Sequence, residues 1–254
     1  MDLKGKKGVI LGVANDRSIA WSIARVLGQA GARLALTYQG ERLQERVTRL
    51  ADTLEEAIVL PCDATDDDRI EALFQTVKQE FGDISFLVHS IAYANREDLA
   101  GNFSETGREG FRIALEISAY SLLPLVKHAA PLMTDGGSVL TMTFQASQKV
   151  YPGYNVMGTA KAALEHEIRQ LAFEFGERGI RFNAISAGPL ETLAARGIHG
   201  FMDMRRHHAE KAALKRNISA DEVANTALFL CSDLSSGITG SVIPVDAGYH
   251  IMAI

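Results

Sequence analysis

Short apolar runs alternate along the chain with longer segments of helical periodicity. The runs are apolar at consecutive positions rather than at every second one, which predicts strands buried on both faces. The predicted strands cover residues 8–11, 34–37, 57–60, 86–89, 138–143, 181–186 and 242–245. The predicted helices cover residues 19–29, 41–54, 66–81, 154–175 and 219–231.

This alternation predicts a single α/β domain over residues 1–254, doubly wound and Rossmann-like, with a mostly parallel sheet of about seven strands and helices on both faces. In such a sheet the strands' carboxyl ends share one edge, and ligands bind where the strand order reverses. Residues 188–216, rich in His, Arg and Met, follow no regular pattern. An irregular segment of this length is more often a functional lid than disorder.

Composition narrows the possible functions. The net charge is -5 and no run of Lys or Arg stands out, which disfavours a nucleic-acid or anionic-membrane partner. No stretch is apolar enough to span a membrane, and the first residues have no apolar signal core. Cys62 and Cys231 are far apart in the sequence, which does not suggest a disulfide framework. We therefore expect reduced, buried thiols in a cytoplasmic protein. His199, His207 and His208 match no zinc spacing, so we expect surface or lid residues and no metal site.

The turn at residues 12–20 leads from the first predicted strand into a helix, where a dinucleotide pyrophosphate binds in this fold. Small residues there permit close approach, and a helix start offers free N–H groups and positive dipole. The pattern Gly-x-Gly-x-x-Gly is absent, so the residues alone favour a nucleotide site and an ordinary tight turn about equally.

Residues after the next strands bear on the choice of cofactor. A 2′-phosphate would call for Arg or Lys at once after the second strand, but Gln39 and Glu41 stand there, which favours NADH although Arg42 lies close. Asp63 either accepts from the adenine amine or caps a turn. His89, a single histidine on an apolar strand, is more typical of a hydrogen-bonded core residue than of a catalyst.

Tyr154 and Lys161 form the most specific pair in the sequence. Seven residues apart at the start of a predicted helix, they lie on one face, about 10 Å apart along the axis. A tyrosine with an ordinary pKa near ~10 is a poor proton donor at neutral pH, and a nearby ammonium lowers that pKa and can hold ribose hydroxyls. Gly153, Asn155 and Gly158 surround Tyr154 and disfavour a purely packing role.

Segments 12–20, 89–92, 154–161 and 181–189 resemble the enoyl-acyl-carrier-protein reductases of type II fatty-acid synthesis, a divergent branch of the short-chain dehydrogenase/reductases. Weaker similarity covers residues 192–195 and 245–249, so that the resemblance spans nearly the whole chain. The spacing Tyr-x6-Lys is typical of this branch. Other members use Tyr-x3-Lys, and here Met157 stands where their tyrosine would be.

The resemblance implies that hydride passes from NADH to the β-carbon of a trans-2-enoyl thioester on acyl carrier protein, in a homotetramer. Tyr154 would hydrogen-bond the thioester carbonyl as charge develops, Lys161 would hold the nicotinamide ribose, and residues 193–204 would close over the acyl chain. The other implied cofactor residues are Gly12, Ala14, Ser18, Ile19, Gln39, Asp63, Ala64, Ser90, Ile91, Leu190 and Thr192. The implied substrate residues are Tyr93, Ala94, Phe144, Tyr154, Ala194 and Ala195.

One position departs from the family pattern. The family carries a second tyrosine ten residues before the one matched by Tyr154, and here that residue is Phe144. A phenyl ring cannot donate a hydrogen bond, so either Phe144 only shapes the acyl pocket, or the proton comes from Tyr151, Tyr154 or water. The alternatives to an enoyl reductase are a short-chain dehydrogenase/reductase acting on a keto substrate and a catalytically weak NADH-binding scaffold.

Overall fold

Seven strands form one parallel sheet in the computed structural model, which describes residues 1–198 and 200–253 apart from the side chains of Ala194 and Arg196. The strands are β1 (Lys7–Leu11), β2 (Arg33–Tyr38), β3 (Ile58–Pro61), β4 (Phe86–His89), β5 (Gly137–Thr143), β6 (Ile180–Ala187) and β7 (Ser241–Val245). Their order is β3-β2-β1-β4-β5-β6-β7, and every neighbouring pair is parallel. The predicted doubly wound architecture is confirmed.

Helices cover both faces of the sheet. They are α1 (Ile19–Gln29), α2 (Glu41–Ala51), α3 (Asp67–Phe81), α4 (Arg108–Leu115), α5 (Leu122–Ala129), α6 (Val156–Phe175), α7 (Phe201–Lys211) and α8 (Ala220–Cys231). One core lies between the sheet and α1, α2 and α8, and a second lies between the sheet and α3, α5 and α6. Strand β1 serves both, since Ile10 packs into the first core and Val9 and Leu11 into the second.

Local signals in the sequence account for several helix ends. Asp66 caps α3 by accepting from the Arg69 amide at 3.1 Å, and Ser219 and Glu222 form the predicted capping box before α8. Both cysteines are buried and free, as expected. Among the described residues no helix is long and apolar enough to cross a membrane.

Two parts of the helical prediction were incomplete or wrong. Helices α4 and α5, joined by a π-helical turn over Glu116–Tyr120, were not predicted. The segment 188–216 was expected to be irregular, but it contains α7. Of the residues in α7, Phe201 and His208 are buried, so this helix shows no apolar stripe in the sequence.

The strand order reverses between β1 and β4, because β2 and β3 extend the sheet on one side of β1 and β4 to β7 on the other. A crevice opens at such a reversal, beyond the carboxyl ends of the strands. The residues that end β1, β4, β5 and β6 therefore surround one location on the molecule.

Candidate active site

The ends of β1 and β4 approach each other closely at Gly12. Gly12 adopts a φ of +99°, and a Cβ placed on it would lie 2.0 Å from the carbonyl oxygen of Ser90. That distance is far inside van der Waals contact, and a positive φ strains any residue with a side chain. Glycine is therefore required here, because only a residue without a side chain lets the two strand ends approach this closely.

Ser18 orders the loop that follows. Its hydroxyl oxygen accepts from the amides of Ala14 at 3.1 Å and Asn15 at 3.0 Å. Helix α1 begins directly afterwards at Ile19, and its first turn contains no acidic residue. The first amides of a helix have no partner within it, so the start of α1 presents N–H groups and a positive dipole at the crevice.

The ends of β2 and β3 meet through side chains. The Gln39 amide donates to Asp63 at 3.3 Å, and Asp63 also accepts from the backbone and hydroxyl of Thr65 at 3.0 and 2.8 Å. Burial acts to raise the pKa of Asp63, but the hydrogen bonds from Thr65 and Gln39 outweigh it and the pKa is lowered. Asp63 is thus an ionised turn cap, with Ala64 beside it.

Three aromatic rings lie together after β5. The Phe144 ring is 4.6 Å from that of Tyr151 and 5.0 Å from that of Tyr154, centroid to centroid, the second pair edge to face. The Tyr151 hydroxyl donates to the Gln145 side chain at 2.7 Å. Tyr154 also packs against a small apolar cluster that contains Leu99 and Met157.

The structure corrects two expectations about Tyr154. It lies in the turn before α6 rather than in the helix, and Asn155 with a φ of 35° separates it from the first helical residue. Its pKa is raised by burial and not lowered by Lys161. A phenol with a raised pKa stays protonated at physiological pH, so Tyr154 is available as a neutral hydrogen-bond donor.

Lys161 is buried within α6, with 4% of its surface exposed. Its ammonium donates to the carbonyl of Met142 on β5 at 2.9 Å. Burial lowers the pKa of Lys161 to about 8, and the charge of Glu165 one helical turn later acts in the opposite direction. The lysine side chain therefore reaches the carboxyl end of β5, near Phe144.

His89 is the hydrogen-bonded core histidine expected from its strand. It is fully buried, and its ring nitrogens lie 3.0 Å from the Thr141 hydroxyl and 2.8 Å from the Ser121 hydroxyl. Burial and the positive charge of Lys161 lower its pKa to about 3. The neutral imidazole therefore supports the strand end and does not act as a base in the crevice.

Residues named for the substrate line the same edge. Ser118 fixes Tyr93 by exchanging two hydrogen bonds of 3.0 Å with its backbone, and Ala94 packs in the cluster beside Tyr154. Ala195 is buried and donates its amide to the Thr192 hydroxyl at 3.2 Å. Leu190 packs onto the first core, whereas the side chain of Ala194 lies outside the described residues. Ile91 packs onto the second core.

Two cavities flank the start of α7. One of about 600 Å³ is bordered by Tyr151, Gly153, Pro189 and Met204, and another of about 510 Å³ by Thr192 and Phe201 among others. The first lies between the segment that was expected to form a lid and the turn that contains Tyr151, whereas the second is lined by residues of that segment itself.

The three histidines of this segment differ from one another. His199 lies outside the described residues. His208 is 3% exposed and stacks on Tyr249 with centroids 4.5 Å apart, so the expectation of a surface position was wrong for it. Among the described residues no group of three or more His, Cys, Asp or Glu side chains is placed to hold a metal ion.

Sequence reasoning missed the residues that fix Lys161. Glu165 is 4% exposed and accepts from the Thr143 hydroxyl at 2.7 Å. Its spacing of four from Lys161 was visible in the sequence, since such residues are neighbours on a helix. The contact with Thr143 joins residues 22 positions apart and left no local signal.

A parallel sheet whose order reverses between β1 and β4, with a Tyr-x6-Lys pair at the same edge, defines a nicotinamide-dependent oxidoreductase of short-chain dehydrogenase/reductase type. The sequence model of the family described as Enoyl-(Acyl carrier protein) reductase matches residues 12–250. The chain belongs to this enoyl-(acyl carrier protein) reductase family.

Relatives and solved structures agree with this assignment. The NADH-dependent enoyl-(acyl-carrier-protein) reductase FabI of Bacillus cereus is 52% identical over 252 residues, covering 98% of each chain. The Bacillus subtilis FabI is 49% identical, over 99% of this chain and 98% of its own. The crystal structure of the Bacillus cereus reductase with NADP+ and indole naphthyridinone superimposes with a TM-score of 0.98 at 51% identity, covering 100% of both chains. The Anaplasma phagocytophilum reductase in complex with NAD has a TM-score of 0.96 at 42% identity, over 99% of this chain and 96% of its own.

Proposed function

We propose that this protein is an NADH-dependent enoyl-acyl-carrier-protein reductase that reduces the trans-2 double bond of an enoyl thioester during fatty-acid elongation. The observation that carries the proposal is the meeting of three features at one sheet edge. Gly12 lets the ends of β1 and β4 pack closely at the reversal point, Lys161 reaches the end of β5, and Tyr154 offers a neutral hydroxyl beside Phe144.

The residues present suit a dinucleotide. Gly12 lets the ends of β1 and β4 pack closely, and the start of α1, directly after the loop ordered by Ser18, offers amides that have no partner within the helix. In this proposal Gly12, Ala14, Ser18 and Ile19 hold the pyrophosphate. The adenosine half lies along Gln39, Asp63 and Ala64, and the nicotinamide half along Ser90, Ile91, Lys161, Leu190 and Thr192.

Charge at the end of β2 favours NADH over its phosphorylated form. Gln39 is uncharged and already donates to Asp63, which is ionised, so a 2′-phosphate would meet a carboxylate. The relatives named above are NADH enzymes, although the Bacillus cereus structure contains NADP+. Arg42 lies three residues after Gln39, and comparing turnover with NADH and NADPH tests this preference.

The chain's own residues account for the remaining chemistry. When bound, NADH supplies a hydride for the β-carbon of the substrate. Tyr154 donates a hydrogen bond to the thioester oxygen, and this bond strengthens as negative charge develops there. Its raised pKa keeps the Tyr154 proton in place, and Lys161 would bind the ribose hydroxyls. The α-carbon of the enolate then takes its proton from water, which completes the saturated thioester.

Phe144 shapes the acyl pocket in this proposal. Its ring lies between Tyr151 and Tyr154 and fixes the angle of Tyr154 by edge-to-face contact. Tyr93, Ala94, Ala194 and Ala195 complete the walls around the thioester. Residues 188–216, with α7 at their centre, act as the lid that excludes water from the acyl chain.

Exposed apolar side chains on the surface bear on assembly. Exposed apolar side chains occur on neighbouring helices of one layer, with Phe111, Tyr120 and Leu123 between 36% and 53% exposed and Phe173 of α6 88% exposed. Such positions are typical of subunit contacts, and we propose a homotetramer in the cytoplasm that receives its substrate on acyl carrier protein. Light scattering on the intact chain and on Phe173→Asp tests this; a monomeric wild type contradicts it.

The activity is tested by following NADH consumption with enoyl thioesters and, in parallel, with β-ketoacyl thioesters. We expect turnover on enoyl substrates of several chain lengths and none on keto substrates, with NADH preferred over NADPH. Turnover on the keto substrates alone would identify a ketone reductase. Tight NADH binding without turnover on any enoyl thioester would identify a scaffold instead.

A further inference from the structure

A buried carboxylate accompanies the buried ammonium on α6. Lys161 and Glu165 are four residues apart on this helix, and each is only 4% exposed. Side chains at this spacing lie above one another on one helix face. The helix thus brings two opposite charges into the interior beside the crevice, a costly arrangement unless each charge has partners.

Strand β5 holds both side chains through consecutive residues. The Met142 carbonyl accepts from the Lys161 ammonium at 2.9 Å, and the Thr143 hydroxyl donates to the Glu165 carboxylate at 2.7 Å. The ammonium is therefore bound to a neutral carbonyl rather than to the carboxylate itself. Glu165 acts on Lys161 by its charge, and Thr143 fixes where that charge lies.

We propose that Glu165 is a positioning residue for the enzyme reaction: held by Thr143, its carboxylate keeps Lys161 in the ammonium form that binds the ribose. The catalytic consequence rests on the proposed function, whereas the effect of the Glu165 charge on Lys161 involves only residues of this chain. A buried lysine that faced only carbonyls and apolar groups would give up its proton.

No other group takes over this role among the residues described for the neighbouring elements. His89 on β4 faces Lys161 but is neutral at physiological pH, and Tyr154 in the turn before α6 keeps its proton. In and after α4, Arg112 pairs with Glu109 and Glu116, and all three are far more exposed than Lys161. Glu165 also opposes the lowering of the Lys161 pKa, which agrees with the geometry.

The experiment follows the ammonium directly. Protein with isotopically labelled lysine is titrated by NMR, the Lys161 signal being assigned by its loss in Lys161→Arg. Glu165→Gln removes the charge while its amide oxygen can still accept from Thr143. We expect the pKa of Lys161 to fall from about 8 by roughly one to three units, the usual effect of one nearby opposite charge.

A second measurement records NADH affinity against pH through the fluorescence of Trp21, the chain's only tryptophan. A lysine of pKa about 8 is about three-quarters charged at pH 7.5, and one of pKa about 7 is about one-quarter charged. We therefore expect NADH binding by Glu165→Gln to be at least about threefold weaker at this pH, with the difference shrinking as the pH is lowered. The matched control is Glu174→Gln, an exposed glutamate on the same helix, which should change neither measurement.

Rescue separates charge from shape. Glu165→Asp keeps a carboxylate at this position, and its Lys161 pKa should be closer to that of the wild type than to that of Glu165→Gln. If the role of Glu165 were purely structural, the Lys161 pKa in Glu165→Asp would remain as low as in Glu165→Gln. Thr143→Val keeps the charge of Glu165 but removes the hydrogen bond that holds its carboxylate in place. This variant should lower the Lys161 pKa by less than Glu165→Gln does. This variant carries the test if Glu165→Gln does not fold.

The proposal is overturned if the Lys161 pKa is the same in wild type and in folded Glu165→Gln. If only Thr143→Val folds, an unchanged Lys161 pKa in that variant overturns it instead. A loss of affinity that is uniform across pH overturns it too. If the wild type reduces no enoyl thioester, the proposed function fails, but the titration still decides the relation between Glu165 and Lys161.

Discussion

Gly12 gives a quantitative test of the crevice. In Gly12→Ala the added methyl group would lie 2.0 Å from the Ser90 carbonyl oxygen, on a backbone with φ of +99°. A left-handed φ costs an L-residue about 1–2 kcal/mol, and overpacking adds about 1–3 kcal/mol. We expect the free energy of unfolding to fall by about 2–5 kcal/mol and NADH binding to weaken in the fraction that stays folded.

Gly5 provides the matched control. Its φ of +78° is similar, but a Cβ placed on it would meet nothing within 4 Å. Gly5→Ala should therefore show the backbone cost alone, about 1–2 kcal/mol, with unchanged NADH affinity. Urea unfolding gives the stabilities, and quenching of Trp21 fluorescence gives the affinities. Equal losses of stability in the two variants, or unweakened NADH binding in Gly12→Ala, would refute the close approach of β1 and β4.

Three further outcomes are expected. Tyr154→Phe should lower kcat much more than it raises KM for the enoyl thioester, because the lost hydrogen bond strengthens as charge develops; an equal kcat would remove Tyr154 from the mechanism. Lys161→Ala should weaken NADH binding with little effect on the enoyl KM, and unchanged NADH affinity would mean that the ribose is held elsewhere. In the folded protein the pKa of His89 is about 3, whereas in the unfolded chain it is near the ordinary value of 6.5. As the pH falls below about 6.5, the unfolded chain therefore takes up a proton that the folded protein does not, and the free energy of unfolding should fall by about 2–3 kcal/mol at pH 4.5. In folded His89→Gln the unfolding free energy should depend less on pH over this range, and an unchanged dependence would contradict the argument.

The strands were predictable because each carries its own signal. The four residues of β4 are all buried, and its prediction matched residue for residue, as did that of α1. Helix α7 gave no such signal, since it buries only Phe201 and His208 and most of its residues are charged residues or histidine. The helix depends on tertiary packing, such as the stacking of His208 on Tyr249, and this packing leaves no pattern in the local sequence.

The sequence was enough to propose members of the candidate site, but it did not indicate their electrostatics. Tyr154 and Lys161 could be named from their spacing, whereas the direction of the Tyr154 pKa depends on burial, which spacing does not encode. The same holds for Glu165, whose partner Thr143 comes from a different strand. Contacts between distant segments are set by the sheet, so their consequences appear only in three dimensions.

The central claim is that this chain delivers hydride from NADH to the β-carbon of an enoyl thioester. Incubation with a crotonyl thioester and NADH deuterated at the transferable position of nicotinamide C4, followed by mass spectrometry of the product, tests it most directly. The account predicts one deuterium on the β-carbon of the saturated acyl chain. Deuterium on the α-carbon, or an unreduced double bond with NADH left intact, would contradict it.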